Sequence, residues 1–268
     1  MSVRRIWASV STLAVAAVAA LGVAGPAAAA DSAAAGGYVA LGDSYSSGVG
    51  AGSYISDSGD CRRSTKAYPY LWAAANSPAS FDFVACSGAT TSSIASSQLG
   101  VLSSSTSLVS VTAGGNDVGF ADVMQDCVLS SEATCVSSVN SAVSQIQTSL
   151  PSRLDSLYGS IRAKAPQAHV VVLGYPRFYK LSGSCIAGLT ETERSAINNA
   201  SDVLNGVLAK RAADAGFTFS GVADEFSGHE LCSGDAWLHS VSIPIYNSYH
   251  PKAAGQSGGY LPAFRSAA

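Results

Sequence analysis

The sequence predicts an α/β protein, a three-layer α/β/α sandwich around a central, mostly parallel sheet. Three observations point there. Short apolar runs recur along the chain, and several stop at a glycine or a serine-rich turn. One of them, Val170-Val171-Val172-Leu173, is continuous and β-branched, as suits a strand covered on both faces. Between the runs lie longer stretches with apolar residues at helical spacing, and strands alternating with helices favour parallel crossovers.

In chain order, the first segment is an address rather than part of the fold. Arg4 and Arg5 precede an uncharged run from Ile6 to Gly22, and small residues Ala27 to Ala30 follow. This pattern reads as a secretory signal peptide over residues 1–30, with residues 31–268 as a single catalytic domain. The arginine pair suits either the general or the twin-arginine export route. Without residues 1–30 the chain carries 13 Lys and Arg against 18 Asp and Glu. That acidic balance argues against nucleic acid as a partner, because nothing would neutralise a row of phosphates.

Tyr38-Val39-Ala40-Leu41 reads as the first strand, Phe81 to Ala85 as the second and Leu108 to Thr112 as the third. His169 to Leu173 reads as a central strand and Phe217-Thr218-Phe219 as the last. Val136, Val139, Val143, Ile146, Leu150, Leu154, Leu157 and Ile161 step by three or four along one helical face, with Pro151 marking a kink or a junction of two helices. Thr190-Glu191-Thr192-Glu193 is a capping box opening a helix that runs to Gly216. Pro251 is expected to open a final helix.

Six cysteines, Cys61, Cys86, Cys127, Cys135, Cys185 and Cys232, are expected to form three disulfides in an oxidising compartment. Sequence alone allows about 15 pairings. Pairing of neighbours crosslinks successive loops without crossing a strand and is the expected arrangement. No C-x-x-C or H-E-x-x-H motif is present, so neither a metal nor another cofactor is expected.

The chemistry-bearing residues fall where strands end, which is where open α/β sheets collect ligands. Ser44 follows the first strand in Gly42-Asp43-Ser44-Tyr45. Gly88 follows the second, Asn116 follows the third in Gly114-Gly115-Asn116-Asp117, and His250 precedes Pro251. Together they offer a hydroxyl, a backbone N–H, a side-chain amide and an imidazole. A serine needs a base to become a nucleophile, and histidine titrates near neutrality. The N–H groups of Ser44 and Gly88 and the amide of Asn116 could receive the oxyanion of an ester under attack. Asp117 reads as a loop brace. His169 reads as structural, and His229 and His239 as surface residues. Gly255-Gln256-Ser257-Gly258-Gly259 satisfies G-x-S-x-G, but no strand precedes it and no histidine follows it, so Ser257 is set aside.

These motifs resemble those of the GDSL, or SGNH, hydrolases, over nearly all of the chain from Tyr38 to about Tyr260, and more closely those of the secreted lipases and phospholipase-type esterases of filamentous actinobacteria. Gly42-Asp43-Ser44-Tyr45-Ser46-Ser47-Gly48 matches the nucleophile block, Gly88 and Asn116 the oxyanion donors, and His250-Pro251 the base. The resemblance implies the flavodoxin-like SGNH fold, neighbour-paired disulfides, and an extracellular monomer that cleaves acylglycerol esters. It implies a lipid or other ester as partner, with transient contact at a lipid interface. Phospholipid sn-1 esters and short or carbohydrate acetyl esters are the alternatives, and a non-catalytic binding module is the rival outside enzymes. Many relatives carry Asp three residues before the histidine, where this chain has Asn247. The resemblance therefore implies a Ser44–His250 dyad, with the backbone carbonyl of Ser248 orienting the imidazole. Tyr45, Tyr54, Phe120 and Tyr175-Pro176 are expected along the acyl groove.

Overall fold

A computed structural model describes residues 36–183, 185 and 188–268. The expected signal peptide lies outside these residues. Five strands, β1 (Gly37–Gly42), β2 (Ser80–Phe83), β3 (Thr106–Thr112), β4 (His169–Leu173) and β5 (Thr218–Ser220), form one sheet in the order β2-β1-β3-β4-β5. Every pairing is parallel. The strand order reverses direction between β1 and β3, so the crevice at their carboxyl ends is the topological switch point.

The helices are α1 (Ser44–Ser47), α2 (Tyr68–Asn76), α3 (Thr91–Ser97), α4 (Phe120–Leu129), α5 (Glu132–Thr148), α6 (Leu150–Lys164) and α7 (Glu191–Asp214). A C-terminal segment follows, with α8 (Ala253–Gly255), a π-helical stretch (Gln256–Tyr260) and α9 (Leu261–Ala267). α3, α5, α6 and α7 pack together on one face of the sheet, and α2 packs with α9 on the other. The long apolar face divides at Pro151, which sits in the first turn of α6 where its missing N–H costs no hydrogen bond. Val139, Ile146, Leu150, Leu154, Leu157 and Ile161 are buried, as their spacing requires. Thr190 and Glu193 form both bonds of the capping box at the start of α7.

Pro251 does not open a helix. It pairs with Leu238 in an isolated antiparallel bridge, and Lys252 N donates to Trp237 O at 2.7 Å, so the chain stays extended until Ala253. A proline also disfavours helical backbone at the residue before it, which keeps His250 out of any helix. Disulfides join Cys61 to Cys86, Cys127 to Cys135 and Cys185 to Cys232.

Buried hydroxyls thread the core toward the first strand's end. Tyr38 Oη and Ser110 Oγ are hydrogen-bonded at 2.7 Å, Tyr68 Oη donates to Ser110 Oγ, and Ser46 Oγ bridges Tyr68 Oη and Thr112 Oγ1. The chain ends where Thr112 Oγ1 donates to Asp43 Oδ1 at 2.6 Å. Such a network is stabilising only when its members are satisfied, and it fixes the loop that carries Ser44.

Candidate active site

The turn after β1 is built for a tight approach. Gly42 has φ +124°, and a Cβ there would lie 2.6 Å from Thr112 O and 2.8 Å from Ser46 Oγ, so only glycine fits. Asp43 caps α1 by accepting from Tyr45 N at 3.0 Å. Its carboxylate also accepts from Thr112 Oγ1, and from Tyr175 Oη at 2.5 Å. Burial nevertheless raises the Asp43 pKa to about 6, against the lowering effect of those three bonds. Ser44 occupies the first position of α1, where a helical turn leaves its N–H without an intrahelical acceptor.

The second strand delivers Gly88 through a loop anchored twice. Cys86 N donates to Gly42 O at 2.9 Å, and the Cys61–Cys86 disulfide is reinforced by Ser87 N donating to Cys61 O. Gly88 has φ +77°, and a Cβ there would meet no atom within 4 Å, so its backbone faces open space. The third strand delivers Asn116, whose Nδ2 donates to Ala89 O at 2.9 Å. One amide hydrogen is thus used to orient the group and the second stays available. Asp117 accepts from both the N–H and the hydroxyl of Thr91, so the expected brace is present.

His250 arrives from the C-terminal loop, and a short ladder with His239 holds it. His239 N donates to His250 O, and Tyr249 N donates to His239 O, both at 2.9 Å. Tyr45 Oη donates to Tyr249 O at 2.7 Å, tying the residue after Ser44 to the residue before His250. The result is 2.7 Å between His250 Nε2 and Ser44 Oγ. The imidazole edge reaches the groove but the ring is otherwise enclosed, and burial lowers its pKa to about 4. At neutral pH the ring is therefore neutral. Nε2 accepts from the Ser44 hydroxyl, and the ring proton sits on Nδ1.

Nδ1 is buried and makes no hydrogen bond of ordinary geometry among the described residues. The backbone carbonyls of Ser248 and Tyr246 act on the ring and favour its protonated form. Ser248 O thus bears on the imidazole without completing a well-formed bond.

An apolar cavity of about 660 Å³ opens beside Ser44 and His250. Phe120, Met124, Ile146, Phe178, Ile197 and Leu204 line it, together with Tyr45 and Tyr175. Tyr54 is not a wall residue. Its hydroxyl accepts from Gly50 N and donates to Asn247 Oδ1, behind the histidine loop. Pro176 is also absent from the lining; its carbonyl accepts from Ser201 Oγ of α7 at 2.8 Å.

His239 is not a surface residue. It is half-buried, contacts Gly50 O through Nε2 at 2.9 Å, and positions His250 through the backbone. Its only sequence signal is its place eleven residues before His250, which does not reveal a ladder. His229 is half-buried against Trp237, with ring centroids 3.6 Å apart. His169 is exposed and bonds to Ala267 O. Ser257 is exposed and donates to Ala253 O at 3.0 Å, away from Ser44 and His250. No cluster of His, Cys, Asp and Glu able to hold a metal ion occurs among the described residues.

Comparison with known proteins finds close likenesses in sequence and fold. The family model described as "GDSL-like Lipase/Acylhydrolase family" matches residues 40–257. Lipase 1 of Streptomyces coelicolor is 63% identical over 265 residues, covering 98% of each chain. The crystal structure of phospholipase A1 from Streptomyces albidoflavus NA297 superposes with a TM-score of 0.86 at 69% identity, covering 88% of this chain and 100% of that one. The extracellular lipase of Streptomyces rimosus superposes equally well, with a TM-score of 0.86 at 59% identity over 87% of this chain and 100% of that one.

Proposed function

This chain belongs to the GDSL-like lipase/acylhydrolase family, and from that premise we propose that it is an extracellular lipase cleaving acylglycerol esters with a Ser44–His250 dyad. The observation that carries the reading is the 2.7 Å contact between Ser44 Oγ and His250 Nε2 at the mouth of an apolar groove. The groove accepts an acyl chain by excluding water from it, and it leaves the ester carbonyl at Ser44.

Ser44 Oγ attacks the carbonyl carbon as its proton passes to His250 Nε2. The carbonyl oxygen becomes an alkoxide facing the N–H groups of Ser44 and Gly88 and the free amide hydrogen of Asn116. Collapse expels the alcohol, which takes the proton from Nε2 and leaves an acyl-Ser44 ester. Water then attacks that ester, His250 again holding the proton, and the fatty acid departs. When the ring is protonated, Nδ1–H needs an acceptor, and the Ser248 carbonyl supplies it once the geometry tightens. No carboxylate is required.

The lipase names of the Streptomyces coelicolor and Streptomyces rimosus relatives support acylglycerols. The phospholipase A1 neighbour supports a second reading, the sn-1 ester of phospholipids. A rate panel over triacylglycerol emulsion, phosphatidylcholine and p-nitrophenyl acetate decides between them. Highest kcat/KM on the acylglycerol supports the main reading, highest on phosphatidylcholine supports the second, and activity confined to acetyl esters overturns both.

A further inference from the structure

Several large apolar side chains lie in solvent, and most of them border one opening. The loop from Val241 to Tyr246 carries Ile243, which is 100% exposed, and Ile245, which is 71% exposed. At the end of α4, Leu129 is 74% exposed beside Val128. Val128, Leu129, Val241, Ile245 and Tyr246 also line the groove that reaches Ser44. The exposed apolar surface is therefore continuous with the groove interior, whereas isolated surface leucines are ordinary.

The patch is also uncharged. Residues 236–251 contain no Asp, Glu, Lys or Arg, and neither do residues 127–131. Arg62 lies 4.1 Å from the centroid of the Tyr246 ring, but it is paired with Asp60. The two segments thus offer apolar area that carries no charged residue of its own.

We propose that Ile243 and its neighbours in the 241–246 loop, together with Leu129 on the same opening, form a docking surface for the uncharged face of aggregated acyl lipid. This deepens the lipase reading and rests on it. An acyl chain inside a droplet or bilayer must leave its neighbours to enter the groove. A rim that enters the same apolar phase spares the chain a passage through water. Charge attraction has no part in it, so net-neutral lipid suffices and anionic lipid is not required.

The test uses vesicles of diether phosphatidylcholine, which contain no cleavable ester, with and without added phosphatidylserine. Ile243 does not line the groove, so its variants should keep the parent's kcat/KM on monomeric p-nitrophenyl butyrate. Ile243→Trp should show a blue-shifted emission on adding neutral vesicles. Ile243→Asp should bind them at least about tenfold more weakly than the parent. Activity on triacylglycerol emulsion should fall with binding. Parent-like binding by Ile243→Asp, or no vesicle binding by the parent, overturns the proposal. Binding that requires phosphatidylserine overturns it too. A lipid-independent blue shift accompanied by a doubled mass in light scattering would assign the patch to a second copy of this chain instead. Loss of p-nitrophenyl butyrate hydrolysis by Ser44→Ala tests the esterase reading separately from any of these results.

Discussion

Tyr54 donates its hydroxyl hydrogen bond to Asn247 Oδ1 at 3.2 Å, which turns the side chain at position 247 toward a tyrosine. The family resemblance puts an orienting Asp at position 247 in many relatives. In this chain the residue contributes to the site through its backbone, its carbonyl accepting from His250 N at 3.1 Å.

Asn247→Ala should consequently keep kcat/KM within about tenfold of the parent, a change of about 1.4 kcal/mol in barrier. Loss of an orienting carboxylate from a true triad costs about 10⁴ in kcat. A drop of that size in Asn247→Ala, with unchanged thermal melting, contradicts the dyad.

Asn116→Ala should lower kcat by about 10²–10³ and leave KM nearly unchanged, because the amide meets the oxyanion only in the transition state. Steady-state kinetics on a soluble ester measure both. A rise in KM alone would make Asn116 a substrate-binding group.

The pH–rate profile should place the imidazole's acid limb near 4. Burial holds the His250 pKa at about 4, so the base stays neutral and competent well below the usual histidine range. Asp43, with a pKa of about 6, adjoins the nucleophile and can add a smaller step of its own. A limb near 6.5 that persists in Asp43→Asn contradicts the assignment.

Stability should show the same two groups working in opposite directions. Folding raises the Asp43 pKa from 3.8 to about 6, so the native state binds more protons than the unfolded state in that window. Its contribution is greatest below about 4 and is lost as pH rises through 6. Folding lowers the His250 pKa from 6.5 to about 4, so the unfolded state binds more protons there. That contribution is lost as pH falls from 6.5 to 4. Each amounts to roughly 3 kcal/mol, and the two largely cancel. Relative to the parent, Asp43→Asn should lose stability on acidification from 6.5 to 4, and His250→Gln should gain it. Urea unfolding at pH 4, 5 and 6.5 measures both slopes, and slopes of the same sign in the two variants would refute the pairing.

The strands and the four candidate site residues are legible in the sequence for physical reasons. β1, β3 and β4 are short apolar or β-branched runs followed by glycine-bearing turns, and a parallel sheet sends those turns to one edge. α6 and α7 carry a clear apolar face and, in α7, a two-way cap. α3 is harder to read, because Thr91-Ser92-Ser93-Ile94-Ala95-Ser96-Ser97 offers one large apolar residue and no period. α1 is a single turn. Asp43's role could not be read from its neighbours, since its partners Thr112 and Tyr175 are remote in sequence. The same holds for His239 and Tyr54, which act through contacts with Gly50, His250 and Asn247 that only the closed fold creates.

The most direct measurement is exposure of the folded protein to a serine-directed alkyl phosphonate, followed by peptide mass spectrometry. One adduct, on Ser44, is predicted, with labelling abolished in His250→Ala because the hydroxyl then has no base. An adduct on Ser257 or another serine, or undiminished labelling of Ser44 without the imidazole, would contradict the dyad.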